Sequence, residues 1–409
     1  MSIVMPITGG IPFSGGPFTG GLFGLSCNVE VGERLCVGDL GLAIEEILVV
    51  EDNIHDYIKK LEKVEGIEAS GEKRAYGTKE GLYSYQVMLY SRILNQMNKH
   101  IIPNILKTQG AISGHLDIPT KDGSIGKLYV EDSGESSSSI ATLLCISGIG
   151  DIRMSYRTFA NEYAKKNYRL IVSDIRGFGD SSHGFSEYSA EEVASDIKQI
   201  IAQKKLNDKI ILVGNSLAAG SCILVASENI PSIKGVMMFG PLVHDMFSDK
   251  VVSPMTYPLL TGSWGKYLWF GFHSLLFVRK NKPEGHKEHV EHVKRNFRET
   301  DATATLGKFF RATKIDVEKS MTKVTIPTLA VYGANDWEYL SPSAERAWLD
   351  KQFEHNPLFE SHMIPNAGNY PYLEAFEETA KIVDPFLQKL YLTKNNKPNN
   401  STINDALQS

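Results

Sequence analysis

The sequence has four cysteines in 409 residues (Cys27, Cys36, Cys145 and Cys222), and no two of them form a C-x-x-C pair. That excludes a disulfide scaffold and the usual zinc-finger or thioredoxin spacings. Cys145 and Cys222 stand inside apolar runs, where a thiol serves as a small buried side chain, so a reducing, cytoplasmic setting is expected. An excess of basic charge is also missing: 43 Lys and Arg face 48 Asp and Glu, a net charge of −5, which argues against a nucleic-acid partner. No run of eighteen apolar residues exists, so no transmembrane segment is expected. The nearest, YLWFGFHSLLFV at 267–278, is flanked by Lys266 and Arg279 and reads as a buried or amphipathic helix, with docking to a membrane surface as the alternative. The first residues, MSIVMPITGGIPFSGGPFTGG, have neither a basic region nor an unbroken apolar stretch and do not read as a signal peptide.

What is present is an ordinary globular composition, 42% hydrophobic and 22% charged, enough for one large domain with an appendage. Residues 1–35 are rich in Gly, Pro and Phe and read as irregular. Residues 36–110 hold two helical patterns, Ile44/Ile47/Ile54/Ile58/Leu61 and Leu82/Leu89/Ile93/Met97/Ile101, the second stopped by Pro103. They read as a helical appendage that could dock a second copy or another protein. From about Ala111, strand-like runs alternate with helical ones: KLYVED, IATLLCIS, YRLIVSDI, KIILVGNS, IKGVMMFG, PTLAVYG and LFESHMIP. That alternation predicts an α/β domain over 111–394, a mostly parallel sheet covered by helices on both faces. Its ligands would sit beyond the carboxyl ends of the strands. The tail 395–409 is polar and reads as disordered, which makes the Asn400-Ser401-Thr402 sequon a chance match.

The loop after KIILV reads Gly214-Asn215-Ser216-Leu217-Ala218. A serine at a sharp strand-to-helix turn needs small neighbours two positions away, and it stands next to the N–H groups and positive dipole end of the helix. Here the chain resembles the α/β-hydrolase superfamily, the serine-nucleophile type with a cap, over roughly residues 111–394. SGIGDIR (147–153) stands where the family places its oxyanion loop, DIRGFGDSS (174–182) matches the loop after the next strand, GNSLAAG is the nucleophile elbow, and VYGANDW (331–337) ends at the acid. The resemblance implies Ser216 as nucleophile, Asp336 as acid, and the Ile149 and Leu217 N–H groups as the oxyanion site. It also implies a helical cap at about 241–322. Gly148, Trp337, Met246, Trp264 and Phe270 would line a pocket for a small apolar ester, lactone or ketone-type substrate, C–C bond hydrolysis included, the alternative for the cap side chains being that they pack the cap onto the sheet. No cofactor and no metal are expected.

One residue departs from the pattern. Where the family has histidine, Gly368-Asn369-Tyr370-Pro371 puts Asn369. An amide cannot take a proton from a serine, although it can hydrogen-bond Ser216 and Asp336. His244, after the strand IKGVMMFG, is the first substitute, followed by His183 and His362. His286, His289 and His292 recur every third residue, drift around a helix and do not form H-E-x-x-H, so they read as a solvated charged face. Either the chain is an enzyme with a non-standard base, or it is a catalytically silent relative that binds a small apolar ligand or a protein.

Overall fold

The computed structural model describes residues 102–108, 110–136, 138–245, 262 and 264–392. The segment 1–35, nearly all of the expected helical region 36–110, Met246 and the tail 395–409 lie outside the described residues. The chain divides into two units, residues 1–92 and 93–409, and every described residue belongs to the second.

Eight strands of the described residues form one sheet: β1 (Ile112–Pro119), β2 (Ile125–Asp132), β3 (Thr142–Ile146), β4 (Arg169–Ser173), β5 (Ile210–Asn215), β6 (Ile233–Phe239), β7 (Thr328–Gly333) and β8 (Phe359–Ile364). Their order is β1-β2-β4-β3-β5-β6-β7-β8, antiparallel at β1-β2 and β2-β4 and parallel elsewhere. Strands β3, β5 and β7 are buried along their whole length, as their unbroken apolar runs require in a sheet covered on both faces. Cys145 on β3 and Cys222 on the helix after β5 are fully buried, and burial pushes both thiols up. β1 carries Gly114, His115 and Asp117 and is largely exposed, so no apolar pattern marks it in the sequence.

The strand order creates the site. From β3 the chain turns to β4 on one side and later returns to β5 on the other, so the loops after β3 and β5 diverge at the strands' carboxyl ends, where sheets of this kind bind ligands. Helices α1 (Arg157–Lys165), α2 (Ala190–Gln203) and α3 (Leu217–Ser227) follow β3, β4 and β5. Ser189 caps α2 by accepting from the Glu192 N–H. α3, LAAGSCILVAS, is apolar all round because it packs against both the sheet and α2. Between β6 and β7 lie α4 (Gly265–Leu275), α5 (His286–Glu299), α6 (Ala302–Arg311) and α7 (Ile315–Met321), and after β7 come α8 (Pro342–Gln352), the short α9 (Pro371–Glu374) and α10 (Phe376–Leu392).

The segments SGIGDIR and DIRGFGDSS are held by buried ions. Arg153, with no exposed surface, bonds Glu131 at 2.5 Å, Asp174 at 2.6 Å and Asp180 at 2.8 Å, and donates to the Ile102 carbonyl at 2.8 Å. Asp174 also accepts from the Arg153 and Asp180 backbone N–H groups, closing the two loops on each other. Arg176 does the same for α2 through Asp196 at 2.6 Å and Glu192 at 3.0 Å. Removing one partner of such a network strands buried charge. Arg153→Met is therefore expected to lower stability by about 3–5 kcal/mol in urea unfolding.

Candidate active site

Ser216 stands between β5 and α3 with φ 51° and ψ −124°, a conformation that few non-glycine residues adopt. The tightness of the turn fixes its neighbours. A Cβ on Gly214 would fall 2.5 Å from the Ala218 carbonyl oxygen, so only glycine fits there. The loop after β3 reaches the same point, since a Cβ on Gly148 would lie 3.3 Å from Ser216 Cβ. Ile149 is buried beside it, and neither its N–H nor that of Leu217 meets an acceptor among the described residues. Two donors next to a serine hydroxyl can bind an oxyanion.

The partner of Ser216 is Glu338. The Ser216 hydroxyl donates to Glu338 Oε1 at 2.9 Å, while Asn369 Nδ2 donates to Glu338 Oε2 at 2.6 Å and to Asp336 Oδ2 at 3.0 Å. Both hydrogens of that amide are thus used, and Asn369 Oδ1 accepts from Asn215 Nδ2 at 3.0 Å. Asn369 meets Asp336 as its sequence position suggests, but reaches Ser216 only through Glu338. Asp336 and Asn369 are buried and Glu338 half-buried. Burial drives both carboxyls well above the ordinary carboxylate range, and the neighbouring Asp336 charge drives Glu338 further. Hydrogen bonds from the Glu338 N–H and the Asn369 amide act the other way on Asp336.

Around this centre, the turn that holds Asn369 is tied to the helices between β6 and β7. The Asn369 N–H donates to the Leu276 carbonyl at 3.0 Å. Glu374 accepts from Gly368 and, at 3.0 Å each, from the Val278 and Arg279 N–H groups. Trp269 on α4 donates its indole N–H to the Gly150 carbonyl at 2.9 Å, which fastens the loop after β3.

The histidines lie elsewhere. His244 Nε2 meets Glu345 Oε2 at 2.7 Å and its ring stacks on Trp348 at 3.8 Å, so it is turned to α8 while Glu338 occupies the serine. His362 neighbours Glu360 on β8, and the half-buried His183 follows DIRGFGDSS, with burial holding its pKa down. The expectation of a solvated face on α5 is corrected: His289 is fully buried and His292 is 8% exposed, because that face of the helix packs inward. Of the expected pocket residues, Gly148 adjoins the serine, Phe270 is half-buried against Phe297, and Trp264 and Trp337 are exposed over most of their surface. Met246 lies outside the described residues.

Sequence reasoning missed Glu338. The signal was present in Asp336-Trp337-Glu338, a second carboxyl two residues past the first, in a turn that brings both to one amide.

A mostly parallel sheet of this order, with a strained serine between its fifth strand and the following helix, is the architecture of the α/β hydrolases. The family described as the alpha/beta hydrolase fold matches residues 141–376, and the chain belongs to it. It is 25% identical over 246 residues to Lipase 3 of Moraxella sp. (strain TA144), a match covering 58% of this chain and 74% of that protein. It is 24% identical over 243 residues to Lipase 1 of Psychrobacter immobilis, with the same shares covered. Among solved structures it is similar to a bromoperoxidase from Bacillus anthracis (TM-score 0.58, 19% identity, 68% of this chain and 100% of that one). It is similar also to a thermophilic esterase from Thermogutta terrifontis (TM-score 0.54, 20% identity, 68% and 99%). No helix among the described residues is long and apolar enough to cross a membrane.

Proposed function

We propose that the chain is a serine hydrolase acting on esters of small apolar acids, in which Glu338 takes the place of the absent histidine as the base. The observation that carries this reading is the 2.9 Å hydrogen bond from the Ser216 hydroxyl to Glu338. An ordinary carboxylate is too weak a base to activate serine near neutral pH. Glu338 is not ordinary, because burial and Asp336 raise its affinity for a proton toward the range where general bases work. Ser216 Oγ would bond to the ester carbonyl carbon as its proton passes to Glu338. The Ile149 and Leu217 N–H groups would receive the oxyanion, and protonated Glu338 would return the proton to the departing alcohol. Water would then release the acid by the same steps. Asn369 would hold Glu338 in register, and Asp336 would tune it. The lipase names of the two relatives support the ester class, as do the aromatic side chains of α4, which the cap reading places above the site.

A second reading has its own observation: Asn369 spends both amide hydrogens on carboxyls and offers the serine nothing. On that reading the site binds a ligand without turnover. A fluorophosphonate probe separates the two. Covalent labelling of the wild type that vanishes in Ser216→Ala and rises with pH through neutrality is expected, because the base must first lose its proton. Folded wild type that stays unlabelled across that range would sink the enzyme reading.

A further inference from the structure

We propose that Asp151, His273 and His289 form a binding site for one divalent transition-metal cation of the zinc class, placed behind the loop that follows β3. The three residues come from different elements, Asp151 from that loop, His273 from α4 and His289 from α5, yet their ligand atoms lie within 4.8 Å of one another. All three are buried, with relative exposures of 0%, 2% and 0%. Asp151 Oδ1 stands 2.5 Å from His289 Nε2 and 3.5 Å from His273 Nε2.

A plain Asp–His hydrogen bond accounts for only part of the cluster. It satisfies His289 Nε2 and Asp151 Oδ1, which His273 Nε2 approaches only at 3.5 Å, while Asp151 Oδ2 and His289 Nδ1 are buried with no hydrogen-bond partner among the described residues. Such groups in a native interior call for a water or an ion. Two imidazoles and a carboxylate are the donor set that zinc takes in three-ligand sites, with a fourth position left for water. Around a tetrahedral zinc, neighbouring ligand atoms sit about 3.3 Å apart. The His273 to Asp151 separation already matches that spacing, and the His289 contact has to open by just under about 1 Å. The cation would neutralise a buried carboxylate and staple the loop carrying Ile149 to α4 and α5. This proposal is independent of whether Ser216 turns over a substrate.

The test uses the full chain, stripped with a chelator and titrated with Co²⁺ while visible absorption and thermal midpoint are followed. One equivalent of Co²⁺ is expected to produce the d–d band of a low-coordinate N/O site, to raise the midpoint, and to be displaced by Zn²⁺. His273→Gln and Asp151→Asn should each weaken binding by more than the about 10–100-fold typical of losing a mere supporting residue. His362→Ala, on the far strand β8, should bind as the wild type does. Folded wild type that gives no band overturns the proposal, whatever the variants do. So does a band whose affinity is unchanged in both His273→Gln and Asp151→Asn.

Discussion

Glu338→Gln is expected to lower kcat/KM on a short nitrophenyl ester by about 10³–10⁴, close to the effect of removing the serine itself. Glutamine keeps the shape; its single carbonyl oxygen can accept from Asn369 while its amide N–H donates to Ser216 Oγ, so binding should survive while proton transfer does not. A drop in kcat with KM nearly unchanged is therefore the expected signature. The same substitution should have the opposite effect on stability at alkaline pH. In the folded chain Glu338 holds its proton more tightly than it would unfolded. Its ionisation therefore works against the native state: the contribution is fully favourable below the unfolded value and is lost as pH rises through the folded one. Glutamine never ionises, so the variant's thermal midpoint should exceed the wild type's in mildly alkaline buffer and converge with it in acid. A variant equally active and no more stable would remove Glu338 from the mechanism.

Asn369→His should be the most informative gain of function. The Asn369 amide already lies 3.0 Å from Asp336, the geometry an imidazole N–H needs, and Gly240 has no side chain to obstruct it, since a Cβ there would come within 2.6 Å of the amide nitrogen. An imidazole titrating near its ordinary value of about 6.5 would be largely unprotonated at neutrality, where Glu338 still holds its proton. Fluorophosphonate labelling at pH 7 is expected to rise by about 10–100-fold, with the pH profile moving toward acid. Asn215 loses the acceptor it has in Asn369 Oδ1, so a small loss of stability should accompany the gain. The double variant Asn369→His/Glu338→Gln should recover much of what Glu338→Gln loses. A histidine variant no faster than the wild type would mean that the site cannot align an imidazole.

The central sheet was legible because its strands are continuous apolar runs, and Ser216 because its neighbours must be small. Asp336 and Asn369 were legible from their place after β7 and β8, and the structure brings them to 3.0 Å. Glu338 was not, because nothing local distinguishes a carboxyl that bonds a serine 122 residues away from one facing water. His289 failed for a related reason. Its neighbours Lys287, Glu288 and Glu291 give the helix a solvated composition, and only Asp151, distant in the chain, explains why one imidazole turns inward. Polar residues inside a fold are specified by partners that sequence periodicity does not reveal.

The backbone of Ser216 has an evolutionary consequence. Holding a serine at φ 51° burdens the native state by about 1–3 kcal/mol, a load renewed in every generation. Glycine or asparagine at that position would ease it, so a lineage with no use for the hydroxyl has a short route to shedding it. This chain carries asparagine at position 369 and serine in the strained turn. A strained backbone that presents a serine hydroxyl is the kind of feature that collects at functional sites, and the proposed role of Ser216 draws on it.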